Sequence, residues 1–205
     1  MGWIQVQESN KAIWNFTKQE PIGRGVGQAF HANPSIGPID LLINGLRLVK
    51  GLSFHERSLI FALPEGGCQI DVFSKGVWVA SNEVTVEKDN DFFLAITGTM
   101  QEVDVFICPS GSLVPQGEAV ARFVHLAPEI GSLDVSVHKG DVVFPGLTYL
   151  SVTAPLPLTP FSVNLEARQA GTKNILVSMP DACFERDTAY LVCILGAEVV
   201  FLKEK

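Results

Sequence analysis

Basic residues are scarce in this chain. Its 205 residues hold 15 Lys and Arg against 22 Asp and Glu, a formal net charge of −7. The deficit is spread evenly: −4 accumulates through Pro115 and −3 after it. Without a basic stripe, electrostatically driven nucleic-acid binding is disfavoured, and the acidic surface serves solubility. Long apolar runs are also missing. No stretch approaches the roughly 18 to 20 residues of a membrane span, so membrane insertion is not expected. The opening residues MGWIQVQESNK lack both a basic start and an apolar core of signal-peptide length. Cytoplasm is therefore the default expectation, with assembly into an envelope or spore layer as the alternative. The four cysteines, Cys68, Cys108, Cys183 and Cys193, form no Cys-x-x-Cys pair and read as reduced thiols. Helical periodicity is absent throughout.

What is present is strand after strand. Hydrophobic residues make up 47% of the chain, enough to build a core and to exclude disorder. Ile39, Leu41 and Ile43 alternate with Asp40, Leu42 and Asn44, the period of a strand with one face buried. Asn44-Gly45 then marks a hairpin, because both central positions of a type I′ turn need positive φ. Further apolar runs follow at Leu59–Leu63, Gln69–Phe73, Val77–Val86, Phe92–Thr97 and Val103–Ile107. Pro64-Glu65-Gly66-Gly67, Ser74-Lys75-Gly76 and Glu87–Asn90 read as the turns between them. Gly23-Arg24-Gly25-Val26-Gly27 lacks the strand and helix that a phosphate loop requires, and reads as a joint.

The pattern occurs twice. His31 and His125 lie 94 residues apart, and so do Asp40 and Asp134. After Asn44-Gly45 gives way to His138-Lys139-Gly140 the offset becomes 95, pairing Leu52 with Leu147, Ile70 with Leu165 and Asp71 with Glu166. A duplication on this scale fixes the architecture before any single motif does. It divides the chain into an N-terminal arm (1–22), a first repeat (23–108), a linker of polar and Pro/Gly composition (109–118) and a second repeat (119–205). The linker is too short to part the repeats widely. Lys203-Glu204-Lys205 reads as a solvated end.

In the second repeat the segment Arg122-Phe123-Val124-His125-Leu126-Ala127-Pro128 is followed by Leu133-Asp134-Val135-Ser136-Val137, Gly140 and Gly146. Leu165-Glu166-Ala167-Arg168-Gln169-Ala170-Gly171-Thr172, Thr188-Ala189-Tyr190 and Gly196 complete the series. These motifs resemble the domain of unknown function 4397, a bacterial all-β domain often found in tandem. The first repeat resembles it through His31, Pro34, Asp40, Asn44-Gly45, Pro64-Glu65-Gly66-Gly67 and Phe92 before Gly98. The resemblance implies two tandem immunoglobulin-like or transthyretin-like β-sandwich domains of about seven strands each. It also implies a cell-surface association for many relatives and no catalytic residues. The family usually has an Asp after the motif Pro, where this chain has Ser35 and Glu129.

The candidate site residues are His31, Asp40, His125 and Asp134. Each His–Asp pair is nine residues apart, separated by Pro and Gly, which brings the two side chains to one strand crossover. One reading makes the pair a strut, with the carboxylate accepting loop N–H groups or the imidazole N–H. The other makes it half of a metal site, with His55 or His138 joining, or a base pair in an unrecognised hydrolase. No Gly-x-Ser-x-Gly elbow supplies a nucleophile. The expectation is a non-catalytic structural or interaction module, needing no cofactor, that binds a protein or surface polymer. Trp3, Trp14 and Trp78 are its candidate stacking platforms.

Trp3, Ile4, Val6, Ile13, Trp14 and Phe16 read as a β-hairpin in the N-terminal arm, turning near Ser9-Asn10. It either closes a sheet edge or forms an oligomerisation or partner arm. Deleting residues 1–20 and measuring mass in solution separates these. An unchanged oligomeric state assigns the arm to the first repeat.

Overall fold

The computed structural model describes residues 24–204, so the arm and its expected hairpin lie outside the described residues. Those residues form sixteen strands and no helix, arranged as four four-stranded sheets. In the first half, β1 (Arg24–His31), β4 (Phe61–Pro64), β7 (Asp91–Gly98) and β8 (Val103–Pro109) make one sheet in the order β4-β1-β7-β8. Facing it, β2 (Ile39–Ile43), β3 (Leu46–Leu52), β5 (Gly66–Ser74) and β6 (Val77–Val86) stand in the order β3-β2-β5-β6. The second half repeats both orders. Strands β9 (Ala119–His125), β12 (Leu156–Leu158), β15 (Thr188–Ile194) and β16 (Val199–Lys203) run β12-β9-β15-β16. Strands β10 (Leu133–Val137), β11 (Val142–Leu147), β13 (Phe161–Gln169) and β14 (Ile175–Phe184) run β11-β10-β13-β14. Each half is thus a β-sandwich of eight strands, where the family resemblance implies about seven.

Most neighbours are antiparallel, but β1 pairs with β7 and β9 with β15 in parallel. Strands at the middle of such a stack are covered on both faces and read as continuous apolar runs. Phe92–Gly98 and Ala119–His125 are buried at every position. The reason is a third apolar cluster besides the two sandwich cores. Ala29 of β1 faces the first core, whereas Phe30 and Ala32 face Val124, Leu126, Leu191 and Cys193 of the second half. The layers therefore stack as four sheets with three apolar seams. Cys108 and Cys193 sit in the middle seam as free thiols, and burial pushes the Cys108 thiol up to about 12. Polar contacts frame this seam. Thr97 Oγ1 donates to the Leu126 carbonyl at 2.6 Å, Tyr149 Oη to Asp104 Oδ2 at 2.7 Å, and His55 Nε2 lies 2.8 Å from Glu198 Oε2.

Local chemistry explains where the sequence reading held and where it failed. Asn44-Gly45 and Lys75-Gly76 each place two successive residues at positive φ (49° and 79°, then 51° and 78°), as type I′ hairpins require. The glycine-rich segment from Arg24 is not a joint but the start of β1. A Cβ on Gly27 would collide with Phe92, its partner across the parallel ladder, and one on Gly25 would lie 2.6 Å from Val86. Glycine is there because aromatic and branched neighbours fill the space a side chain would need. Leu59 is 90% exposed and precedes the strand, which begins at Phe61. Only Glu65 separates β4 from β5, so Pro64-Glu65-Gly66-Gly67 is a switch between sheets, with Gly66 at φ 104°. Glu204 is not solvated. It is buried against Arg122, and its Oε2 accepts the Gly111 and Ser112 amides of the linker at 3.1 and 3.0 Å.

Because Leu191 is buried in the apolar cluster of the middle seam, Leu191→Ala is expected to cost about 2–5 kcal/mol. It should lower one shared unfolding transition in calorimetry. Separate melting of the two halves would contradict a shared core.

Candidate functional site

The two histidines occupy the last position of β1 and of β9 and are fully buried. Each is a four-way node. The His31 N–H donates to the Glu56 carbonyl at 3.1 Å, and its carbonyl accepts the His55 amide at 2.9 Å. Its ring Nε2 reaches the Gly37 carbonyl at 3.1 Å, and Nδ1 accepts the Asn33 amide at 3.3 Å. His125 repeats all four contacts. Its backbone joins Ser151 and Leu150, its Nε2 reaches the Ile130 and Gly131 carbonyls at 3.3 and 3.2 Å, and Nδ1 accepts the Ala127 amide at 3.2 Å. Phe54 and Tyr149 meet the two rings edge-on, both with centroids 6.1 Å away. Only the neutral Nε2–H tautomer satisfies these partners, since a carbonyl needs a donor and an amide an acceptor. Burial pushes both rings below their ordinary pKa of 6.5, against the pull of the carbonyls. A ring whose two nitrogens are both engaged this way has no lone pair for a metal and no site for a substrate proton.

The aspartates do not join them. Asp40 Oδ1 accepts the Gly51 amide at 2.7 Å, with Arg47 Nη1 3.7 Å from Oδ2. Asp134 Oδ1 accepts the Gly146 amide at 2.7 Å and Oδ2 the Gly171 amide at 2.9 Å. Gly51 and Gly146 stand at positive φ, where β3 and β11 bulge. Each His belongs to the inner sheet and each Asp to the outer sheet of its sandwich, so the expected crossover contact divides into two separate staples. His55 turns to Glu198 across the seam and His138 to Glu166. Among the described residues no group of three or more His, Cys, Asp or Glu could hold a metal ion.

The chemistry left over lies on the outer sheets and between the halves. Neighbours in register share a face, so the outer faces can be compared row by row. In the first sandwich the rows are Leu42–Asp71–Ser81 and Asp40–Phe73–Trp78. In the second they are Ser136–Glu166–Ser178 and Asp134–Arg168–Ile175. The first face is aromatic. Trp78 is 57% exposed beside half-buried Phe73, and Asp71 Oδ1 accepts from Ser81 at 2.6 Å and Gln69 at 3.0 Å, bonds that hold its carboxyl below the usual range. The second face is ionic. Glu166 is buried, with Oε2 2.8 Å from His138 Nδ1 and Oε1 held by the Arg168 guanidinium. Burial opposes its ionisation, but those hydrogen bonds outweigh burial and keep its carboxyl low. The charged face is the part a reading of motifs missed. Its signal was Glu166 and Arg168 two residues apart on one strand, the spacing that puts both on the same side.

A groove of about 300 Å³ opens at the junction of the halves, lined by Pro34, Ser35 and Gly98 from one copy and Pro128, Glu129 and Gly196 from the other. Glu129 is its one carboxylate, opposite Ser35.

Fold and site together define a duplicated all-β sandwich protein whose polar residues, recurring in both copies, staple backbone. The chain belongs to the family described as "Domain of unknown function (DUF4397)", whose model matches residues 28–136, just over half of it. That match covers the first sandwich and the opening strands of the second, whereas the motif series quoted above is fuller in the second. No curated protein matches. Among solved structures the chain aligns with "The Bacillus anthracis TIE protein" at 8% identity and a TM-score of 0.25. The alignment covers 87% of this chain and 52% of that one, so the chain spans about half its length. At that score the likeness carries no argument about fold or function.

Two outcomes follow from the nodes. His125→Ala is expected to cost about 2–4 kcal/mol by chemical denaturation, through lost hydrogen bonds and a cavity. The pH dependence has a definite sign. Below about 6.5 the unfolded chain binds protons that the two buried rings refuse, so stability should fall as pH drops from 6.5 and level off below the folded values. His125→Gln should remove about half of that slope. The Glu166 carboxyl adds a separate loss only below its ordinary value of 4.5.

Proposed function

We propose that this protein is a non-catalytic interaction module, a rigid pair of sandwiches whose outer sheet faces bind a protein or surface polymer. The divergence of the two outer faces at matching positions carries the reading. The stapling His and Asp residues and the strand order recur in both copies, while Trp78 against Ile175, Phe73 against Arg168 and Leu42 against Ser136 do not. A duplication that served only as scaffold would have no reason to keep an exposed tryptophan on one face and charged side chains on the other. The aromatic face has the composition of a stacking platform: an exposed indole, a second ring beside it, and an oriented carboxylate within the same sheet. A hydrolase built on His31 or His125 is the weaker reading, because both rings spend both nitrogens on backbone. An envelope or spore layer is the setting in which a bacterial module of this kind meets polymers, and it belongs to the same proposal.

A panel of surface polysaccharides and proteins, probed with the full chain and assayed in parallel for hydrolysis, tests this. The expected result is binding without turnover, weakened by Trp78→Ala and retained by His125→Ala below that variant's melting temperature. Turnover abolished by His125→Ala in a folded protein would overturn it.

A further inference from the structure

We propose that the outer face of the second sandwich binds an oxyanion, a phosphate, sulfate or carboxylate group, in the pocket framed by Lys139, Arg168 and Lys173. The inference rests on the module reading above and names the ligand chemistry of one face. The pocket encloses about 360 Å³ and is lined by these three side chains together with Gly140, Glu166 and Ile175. Three cations thus meet one carboxylate, in a chain whose net charge is −7. Charge of the opposite sign to the rest of the molecule, gathered at one concavity, is a local arrangement and not a general field.

The single carboxylate is already occupied. Glu166 accepts from Arg168 through Oε1 and faces His138 Nδ1 through Oε2, and it is almost wholly buried. Its part is to hold the guanidinium. Arg168 Nη2 also donates to the Val137 and Gly140 carbonyls at 3.2 and 3.3 Å, so the fork is fixed on its inner edge. With Nε and Nη2 engaged, Nη1 of this pre-ordered guanidinium is left for a ligand in the pocket that Arg168 lines, a planar donor that suits an oxyanion. Among the described residues no carboxylate pairs with Lys139 or Lys173. Across the β10–β13 ladder from Glu166 lies Ser136, fully buried, whose Oγ has no hydrogen-bond partner. A buried hydroxyl with no partner is uncommon, so Ser136 adds unused hydrogen-bonding capacity to the row that holds Glu166.

The rim excludes the alternatives. A divalent cation would find one carboxylate with both oxygens engaged among three positive groups. A neutral sugar would find Ile175 where the first sandwich has Trp78. The first sandwich supplies an internal control, because Leu42, Asp71 and Phe73 stand where Ser136, Glu166 and Arg168 stand, and no cation is among them.

The experiment titrates the full chain with sodium phosphate against sodium chloride at matched ionic strength and pH, following backbone amide shifts by NMR. Saturable shifts at Gly140 and Lys173, absent with chloride, are expected. Lys139→Ala/Lys173→Ala, which changes only exposed side chains, should weaken phosphate binding roughly tenfold. Trp78→Ala should leave it unchanged. A parallel titration with polyphosphate distinguishes a free ion from a polymer-borne group: tighter binding per site by the polymer assigns the pocket to polymers, and equal binding to the free ion. Shifts that do not saturate, or that persist in the double lysine variant, overturn the site. Should phosphate fail while Trp78-dependent polymer binding survives, the oxyanion site alone falls. If neither face binds, the module reading falls with it.

Discussion

Two buried histidines hold this structure at its tightest points. Each closes the end of a central strand by using its backbone N–H, its carbonyl and both ring nitrogens on four different main-chain groups. Loops that leave a sandwich core carry amides and carbonyls that water cannot reach, and every one must be paired. A neutral imidazole is a compact way to do it, being one donor and one acceptor on a rigid plane. The cost is a ring that resists protonation, so the fold is tied to neutral pH by the same contacts that shape it.

From these nodes the layers follow. With the loop after β1 tied to the turn at Ser53–Glu56, and the loop after β9 to the turn at Thr148–Ser151, the inner sheets close at one end and present apolar backs. Packing those backs together buries Phe30, Phe93, Leu126 and Leu191 and makes one body of two repeats. The buried Arg122–Glu204 pair then fastens the linker by accepting two of its amides. Such a pair is weak evidence for stability in itself, but removing either partner would strand a charge in the seam. It serves to fix the connection in one path.

Duplication frees the outer faces. The inner sheets and the staples must be the same in both copies because the seam and the loops need them. Apart from the stapling Asp40 and Asp134 and the serines Ser81 and Ser178, the outer rows differ between the copies, with Trp78 and Phe73 at the positions of Ile175 and Arg168. These differences lie on the faces to which the proposed function assigns binding.

Much of this was legible in the chain itself. The spacing of His31 and His125, the alternation around Ile39–Ile43 and Leu133–Val137, and the Asn44-Gly45 turn determined an all-β, duplicated protein, because strand period and turn chemistry are local properties. The tertiary structure alone decided the rest. Parallel pairing of β1 with β7 set the glycines at 25 and 27 into a strand, since the need for them arises from Phe92 more than sixty residues away. The His–Asp spacing promised one contact and yielded two, because the residues lie on different sheets, and sheet membership is a long-range choice. Glu204 looked solvated until the linker and Arg122 came round to cover it. Spacing along a chain fixes which residues share a strand face, and only the packing of sheets fixes what those faces meet.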